Sequence, residues 1–182
     1  VGAVEAQLAK RSLDLPVFWG NRNAAPLLAD AVAAMRDAGV RRALAWLSSP
    51  YASYSTCRQY RENLDVARTA VGPGAPRIDV LRRHHDHPLL VETAADRLAE
   101  ALVRLPADRR DRAYLLFSAH SIPADLSATC DYVAQLHDVA RLVADRVDPD
   151  GRHDWELVWQ SRSGPRRSRG WNPTWATASK RW

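Results

Sequence analysis

Tyr114-Leu115-Leu116-Phe117-Ser118-Ala119-His120-Ser121-Ile122-Pro123 is the stretch on which the fold turns. A short apolar run passes into small and polar residues and is stopped by a proline, the pattern of a buried strand feeding a loop. Downstream, Tyr132 to Val147 repeats apolar residues at helical spacing, and Trp155 to Gln160 is another apolar run. Strand, helix and strand in that order predict a βαβ unit and a parallel sheet.

The same alternation runs upstream. Ala3 to Arg11 reads as the end of a helix, and Leu15 to Trp19 as a buried strand closed by the turn-forming Gly20-Asn21. Pro26 sits near a helix start, with Leu27, Leu28, Val32 and Met35 at helical spacing before a stop at Gly39. Arg42 to Leu47 is a second strand, followed by a loop rich in Ser and Tyr. Arg58 to Val71 is a helix ended by Gly72-Pro73-Gly74, and Arg77 to Leu81 is a short strand. His87-Pro88 opens a long helix through Leu102, with Leu90, Ala94, Leu98 and Ala101 on one face. There is no internal repeat. The fold class expected is α/β, with parallel sheets flanked by helices. The charged stretch from Pro106 to Arg112 is the expected boundary between a part spanning residues 1–108 and a second part spanning 109–165.

At 182 residues with 46% apolar content, the chain is a globular one and not a disordered one. No apolar run approaches the roughly 20 residues of a membrane-crossing helix, so no transmembrane segment is expected. Two cysteines, Cys57 and Cys130, make no disulfide scaffold and suit a reducing compartment, and no leader segment is visible, so a cytoplasmic location is expected. The formal charge of +5 invites a nucleic-acid reading. Five of the bases, however, lie in residues 166–182, which hold no acid; the remainder carries 21 bases against 21 acids. A neutral body offers no footprint for phosphate, so nucleic acid is excluded as a partner. The tail also holds three of the seven Trp residues and lacks any amphipathic period. It is expected to be disordered.

In open parallel sheets ligands collect at the carboxyl ends of the strands. Three such ends carry polar groups here: Gly20-Asn21-Arg22-Asn23, the run from Ser48 to Tyr60, and Ser118-Ala119-His120-Ser121. The second run mixes aromatics with hydroxyls, which suits a flat apolar ligand with polar edges, and suits turn packing as well. His120 is the best-placed titratable group; an imidazole ordinarily titrates at about pH 6.5 and can take a proton or bind a metal near neutrality. A histidine in that place can equally be structural, and Asn21-Arg22-Asn23 can simply cap the next helix. His84, His85 and His87 lie close together, but their spacing is poor for a metal, and neither cysteine has a C-x-x-C partner, so zinc is not expected. Residue by residue, the sequence is that of an α/β protein with a strand-end pocket.

Five strings together go further. Leu15-Pro16-Val17-Phe18-Trp19-Gly20-Asn21-Arg22-Asn23, Tyr54-Ser55-Thr56-Cys57-Arg58-Gln59-Tyr60, Asp86-His87-Pro88, Phe117-Ser118-Ala119-His120-Ser121-Ile122-Pro123 and Trp159-Gln160-Ser161-Arg162-Ser163-Gly164-Pro165 occur in this order. The chain resembles the ferrochelatase family, and most of all its actinobacterial coproporphyrin members, over residues 1 to about 165. The resemblance implies a chelatase-like fold of two Rossmann-type halves with the macrocycle in the cleft between them, here incomplete. It implies insertion of ferrous iron, as substrate, into coproporphyrin III or protoporphyrin IX during haem synthesis. On this basis His120 matches the histidine assigned to pyrrole proton abstraction or iron binding, and Tyr60 a tyrosine that touches the porphyrin, with Tyr54 and Ser55 on the same loop. Cys130 matches one ligand of the two-iron two-sulfur cluster that some members carry, a cluster that this chain alone is not expected to form. A non-catalytic porphyrin- or metal-binding module is the alternative.

Against the family pattern, the first strand with its glycine-rich loop and the later glutamate that faces the histidine have no match in these residues. The chain alone is therefore expected to be inactive or nearly so, and to fold poorly. Restoring one base after the codon for Pro165, with G/C-rich codons, turns the tail into the family's Pro-x-x-Pro-Trp-Leu continuation. Residues 166–182 are accordingly expected to be out-of-frame translation.

Overall fold

The computed structural model describes residues 1–161. The expectations for residues 162–182, the tail and its reading frame among them, fall outside the described residues. By contact the chain divides into two compact units, Val1–Ser48 with Cys57–Arg82, and Ser49–Thr56 with the chain from Arg83 onward. The expected parts 1–108 and 109–165 divide the chain along its sequence; division by contact assigns the long helix after His87 to the second unit.

The first unit holds α1 (Gly2–Lys10), α2 (Leu28–Asp37), β1 (Arg42–Ala45), α3 (Tyr60–Val71) and β2 (Arg77–Val80). β1 and β2 pair in parallel, Arg42 opposite Arg77 and Ala45 opposite Val80. Two guanidinium groups directly opposite would repel. Asp79 sits between them and accepts from Arg42 Nε at 2.7 Å and from Arg77 Nε at 3.1 Å. α2 packs against α3, burying Ala31, Val32, Leu64 and Ala67. The Asp30 carboxylate reaches back to accept from Leu27 N at 2.7 Å, occupying a donor that the helix start leaves unpaired. α3 stops at Gly72, whose φ of 74° is a left-handed conformation that side chains disfavour.

The second unit holds α4 (Pro88–Val103), α5 (Ala107–Arg110), β3 (Leu115–His120), α6 (Ala124–Ser127), α7 (Tyr132–Val147) and β4 (Trp155–Gln160). β3 and β4 pair in parallel from Leu115 opposite Trp155 to His120 opposite Gln160, and α7 lies in the connection between them. Its buried residues, Leu136, Val139, Ala140, Val143 and Ala144, form a single stripe at i, i+3, i+4, i+7 and i+8. One end of the stripe packs with Ala119, Leu157 and Trp159 of the sheet. The other packs with Val91 and Ala95 of α4. Phe117 and Tyr51 touch both clusters and join them. Arg110 closes the far end of α4, donating to the carbonyls of Leu102, Val103 and Leu105. Carbonyls at a helix end lack the donors that a further turn would supply. Among the described residues no helix is long and apolar enough to cross a membrane.

Parallel strands flanked by helices are as the sequence predicts, and three local readings need correction. Leu15–Trp19 forms no strand: no neighbouring strand among the described residues pairs with it, and Leu15 and Trp19 stay more than half exposed, at 56% and 53%. Apolar composition marks a segment for burial, but a strand also needs a ladder for its backbone groups. The Ser- and Tyr-rich run is not loop throughout, because Ser55–Gln59 forms a π-helical turn leading into α3. On α4 the buried stripe is Val91 and Ala95, with Ala94 and Leu98 beside it, so it lies one residue round from the predicted face and leaves Ala101 exposed.

A buried carboxylate fastens the bottom of this unit. Asp148 is 6% exposed; its Oδ2 accepts from the His153 amide at 2.6 Å and lies 3.2 Å from His153 Nδ1. His153 Nε2 lies 3.0 Å from the Arg110 carbonyl, and Arg152 Nε is 3.6 Å from Asp148 Oδ1. Burial pushes the Asp148 carboxyl up, but the hydrogen bonds from His153 and the positive charge of Arg152 outweigh it and hold the pKa below the usual carboxylate value. A depressed folded-state pKa stabilises the fold above the unfolded value of about 3.9, and that stability is lost as pH falls through the folded pKa. Urea unfolding should therefore show stability draining away below about pH 4, with Asp148→Asn removing part of that acid dependence; an unchanged acid profile in the variant would contradict the assignment. Leu136→Ala should cost roughly 2–5 kcal/mol in the same assay, and a loss under 1 kcal/mol would mean that the core is elsewhere.

Candidate functional site

β3 alternates as a one-sided strand does. Leu115 and Ala119 are buried and Phe117 half-buried, whereas Leu116, Ser118 and His120 are exposed on the opposite face. His120 is the last residue of the strand, so its imidazole stands exposed at the carboxyl edge of the sheet. Its main chain, by contrast, is held. The His120 carbonyl accepts from the Tyr132 hydroxyl at 3.2 Å. The next residue, Ser121, is buried; its amide donates to the Gln160 carbonyl at 3.0 Å, and its hydroxyl donates to the Ser161 carbonyl. The result is an exposed ring on an anchored backbone.

The segment 49–56 is fastened to the same unit. Thr56 is buried, donates to the Tyr51 carbonyl at 2.7 Å and accepts from Ser53 N at 2.9 Å, closing the segment on itself. The Arg83 guanidinium donates to the Ser49 carbonyl at 3.5 Å and to the Thr56 carbonyl. From α7, Gln135 Oε1 accepts from Ala52 N at 2.7 Å. The Tyr51 ring meets Tyr132 edge-on at 6.1 Å, and Tyr132 leans on Trp159 at 6.3 Å, so three aromatics connect segment, helix and strand. Burial raises the Tyr51 phenol above its ordinary pKa. It raises Tyr132 likewise, with the neighbouring Tyr51 and Cys130 adding to the effect. Both phenols therefore remain hydrogen-bond donors through neutral pH.

Tyr54 and Ser55 are exposed on this segment, in the same unit as His120. Tyr60 belongs to the first unit, as the half-buried first residue of α3, with the Arg22 guanidinium 4.9 Å above its ring. The His84, His85 and His87 group has a plainer use at one member: His87 is the N-cap of α4, and its Nδ1 accepts from Leu89 N at 3.2 Å. Among the described residues no three His, Cys, Asp or Glu side chains come together to hold a metal. Cys130 is half-buried and donates its thiol to the Leu126 carbonyl at 3.2 Å. A two-iron two-sulfur cluster of this kind takes four thiolates, and these residues include two cysteines, so they do not by themselves fit a cluster. Sequence reasoning missed Tyr132, Gln135, Tyr51 and Arg83. The available signal was modest: Tyr and Gln sit on the first turn of a helix that follows directly on the histidine's loop.

The ferrochelatase family model matches residues 1–175. Coproporphyrin III ferrochelatase of Nocardia farcinica is 48% identical over 173 residues, taking in 91% of this chain and 48% of the relative. Its namesake in Mycolicibacterium smegmatis is 46% identical over 166 residues, 90% of this chain and 48% of the relative; that of Streptomyces coelicolor is 48% identical over 177 residues, 89% and 47%. The chain belongs to the ferrochelatase family, a family of enzymes. It spans about half the length of the curated relatives it matches.

In a spectrophotometric titration Tyr51 and Tyr132 should stay protonated beyond about pH 10, the ordinary phenol value. A raised folded-state pKa means that the stability tied to these groups is complete below the unfolded value and is lost as pH climbs through the folded one. All five tyrosines ionising together at the ordinary value would contradict this packing.

Proposed function

We propose that the protein inserts ferrous iron into a porphyrin, coproporphyrin III by preference and protoporphyrin IX as the close variant, in a cytoplasmic step of haem synthesis. The observation that carries the proposal is the exposed His120 imidazole at the carboxyl end of β3, in a chain of the ferrochelatase family. Metallation expels the two pyrrole protons as the metal enters, so the reaction needs a base beside the ring. His120 would take a pyrrole proton or pass iron to the macrocycle, while its backbone, hydrogen-bonded to Tyr132, keeps the ring in register. Tyr54 and Ser55 supply an exposed aromatic and a hydroxyl for the porphyrin, and Tyr60, under Arg22, a further aromatic contact. The names carried by the relatives support coproporphyrin III. Residues 1–182 by themselves are expected to show little or no metallation, because the carboxylate that would face His120 has no match in them.

The test is an absorbance titration of the intact protein with coproporphyrin III, followed by anaerobic addition of ferrous iron. Replacing His120 with Ala should leave porphyrin uptake in place and slow metallation by about a hundredfold or more. Uptake without metallation by the parent protein would instead support a binding module, and an unchanged rate in the variant would remove His120 from the chemistry.

A further inference from the structure

The first turn of α7 touches both elements of the second unit that carry proposed site residues. Tyr132 donates to the carbonyl of His120, and one turn along Gln135 accepts from Ala52 N, in the segment that presents Tyr54 and Ser55. The orientation of Gln135 follows from its partner. A backbone N–H can only donate, so the side chain must offer its oxygen, and the amide has no second arrangement that preserves the bond. The Tyr132 ring lies between Tyr51 of the segment and Trp159 of β4, so it cannot turn without moving one or the other. We infer that Tyr132 and Gln135 are positioning residues of the porphyrin site, Tyr132 setting the imidazole of His120 and Gln135 setting the segment 49–56.

This rests on the proposed function, and it divides the labour within that site. Gln135 acts on the segment that would grip the macrocycle, so losing its bond affects binding. Tyr132 acts on the base, so losing its hydroxyl affects the chemical step. Core packing alone would yield no such split, since a merely loosened core lowers stability and affects both steps together.

Gln135→Leu keeps the volume and drops the acceptor; Gln135→Glu keeps an acceptor oxygen; Tyr132→Phe keeps the ring and drops the donor. In the intact protein Gln135→Leu should accelerate hydrogen exchange at the Ala52 amide and weaken coproporphyrin III affinity about tenfold, with kcat nearly unchanged. Gln135→Glu should restore both readings. Tyr132→Phe should lower kcat several-fold with KM nearly unchanged. Should Gln135→Leu fail to fold, Gln135→Ala carries the same two readings. Unchanged Ala52 exchange, or faster exchange with full porphyrin affinity, overturns the role of Gln135, and equal losses in KM and kcat across all variants overturn the split. The parent protein is the control for the function itself: if it takes up no coproporphyrin III, the proposed function falls, and this inference with it.

Discussion

The parallel pairing of β3 with β4, with α7 as the crossover, is the constraint from which the second unit follows. A parallel pair cannot be closed by a tight turn, so the chain must cross over, and an amphipathic helix is the cheapest covering for the sheet face it crosses. The helix then starts close to the carboxyl end of β3. Tyr132 and Gln135 come to the strand end for that reason, and the buried stripe from Leu136 to Ala144 holds them there. Asp148, His153 and Arg110 fasten the opposite end of the same helix, so α7 is fixed at both termini.

With the backbone held in this way, the exposed face of β3 can carry chemistry. Groups that move protons need rigid supports and accessible tips. The His120 carbonyl and the following Ser121 amide are bonded, while the ring remains accessible. The segment 49–56 has no helix or strand of its own apart from the π-helical turn it enters, yet it is closed by Thr56 and tied to Arg83 and Gln135. Wide helical turns of this type recur at functional sites because they re-aim side chains; here the turn begins at Ser55 and leads directly into Tyr60.

What could be read in advance follows the range of the forces involved. α7 and β4 begin and end where their periodicities do, because a buried stripe and an apolar strand are local patterns. The place of His120 at the end of β3 was legible because the apolar run before it and the proline after it are local signals. Leu15–Trp19 could not be read correctly, since being a strand depends on a neighbour and not on composition. The turn at Ser55–Gln59 was hidden because Ser, Thr and Tyr ordinarily signal irregular backbone. Least legible was the bond from Ala52 to Gln135, which joins residues 83 apart in the chain. No spacing rule reaches so far, and only the packing of α7 brings the two together.

A crystal structure of the intact protein with coproporphyrin III bound tests the place of His120 directly. It should show an imidazole nitrogen of His120 within about 3 Å of a pyrrole nitrogen, with the Tyr132 bond to its carbonyl retained. A macrocycle seated away from the carboxyl end of β3, or an imidazole turned from the ring with no path to a pyrrole nitrogen, would contradict it.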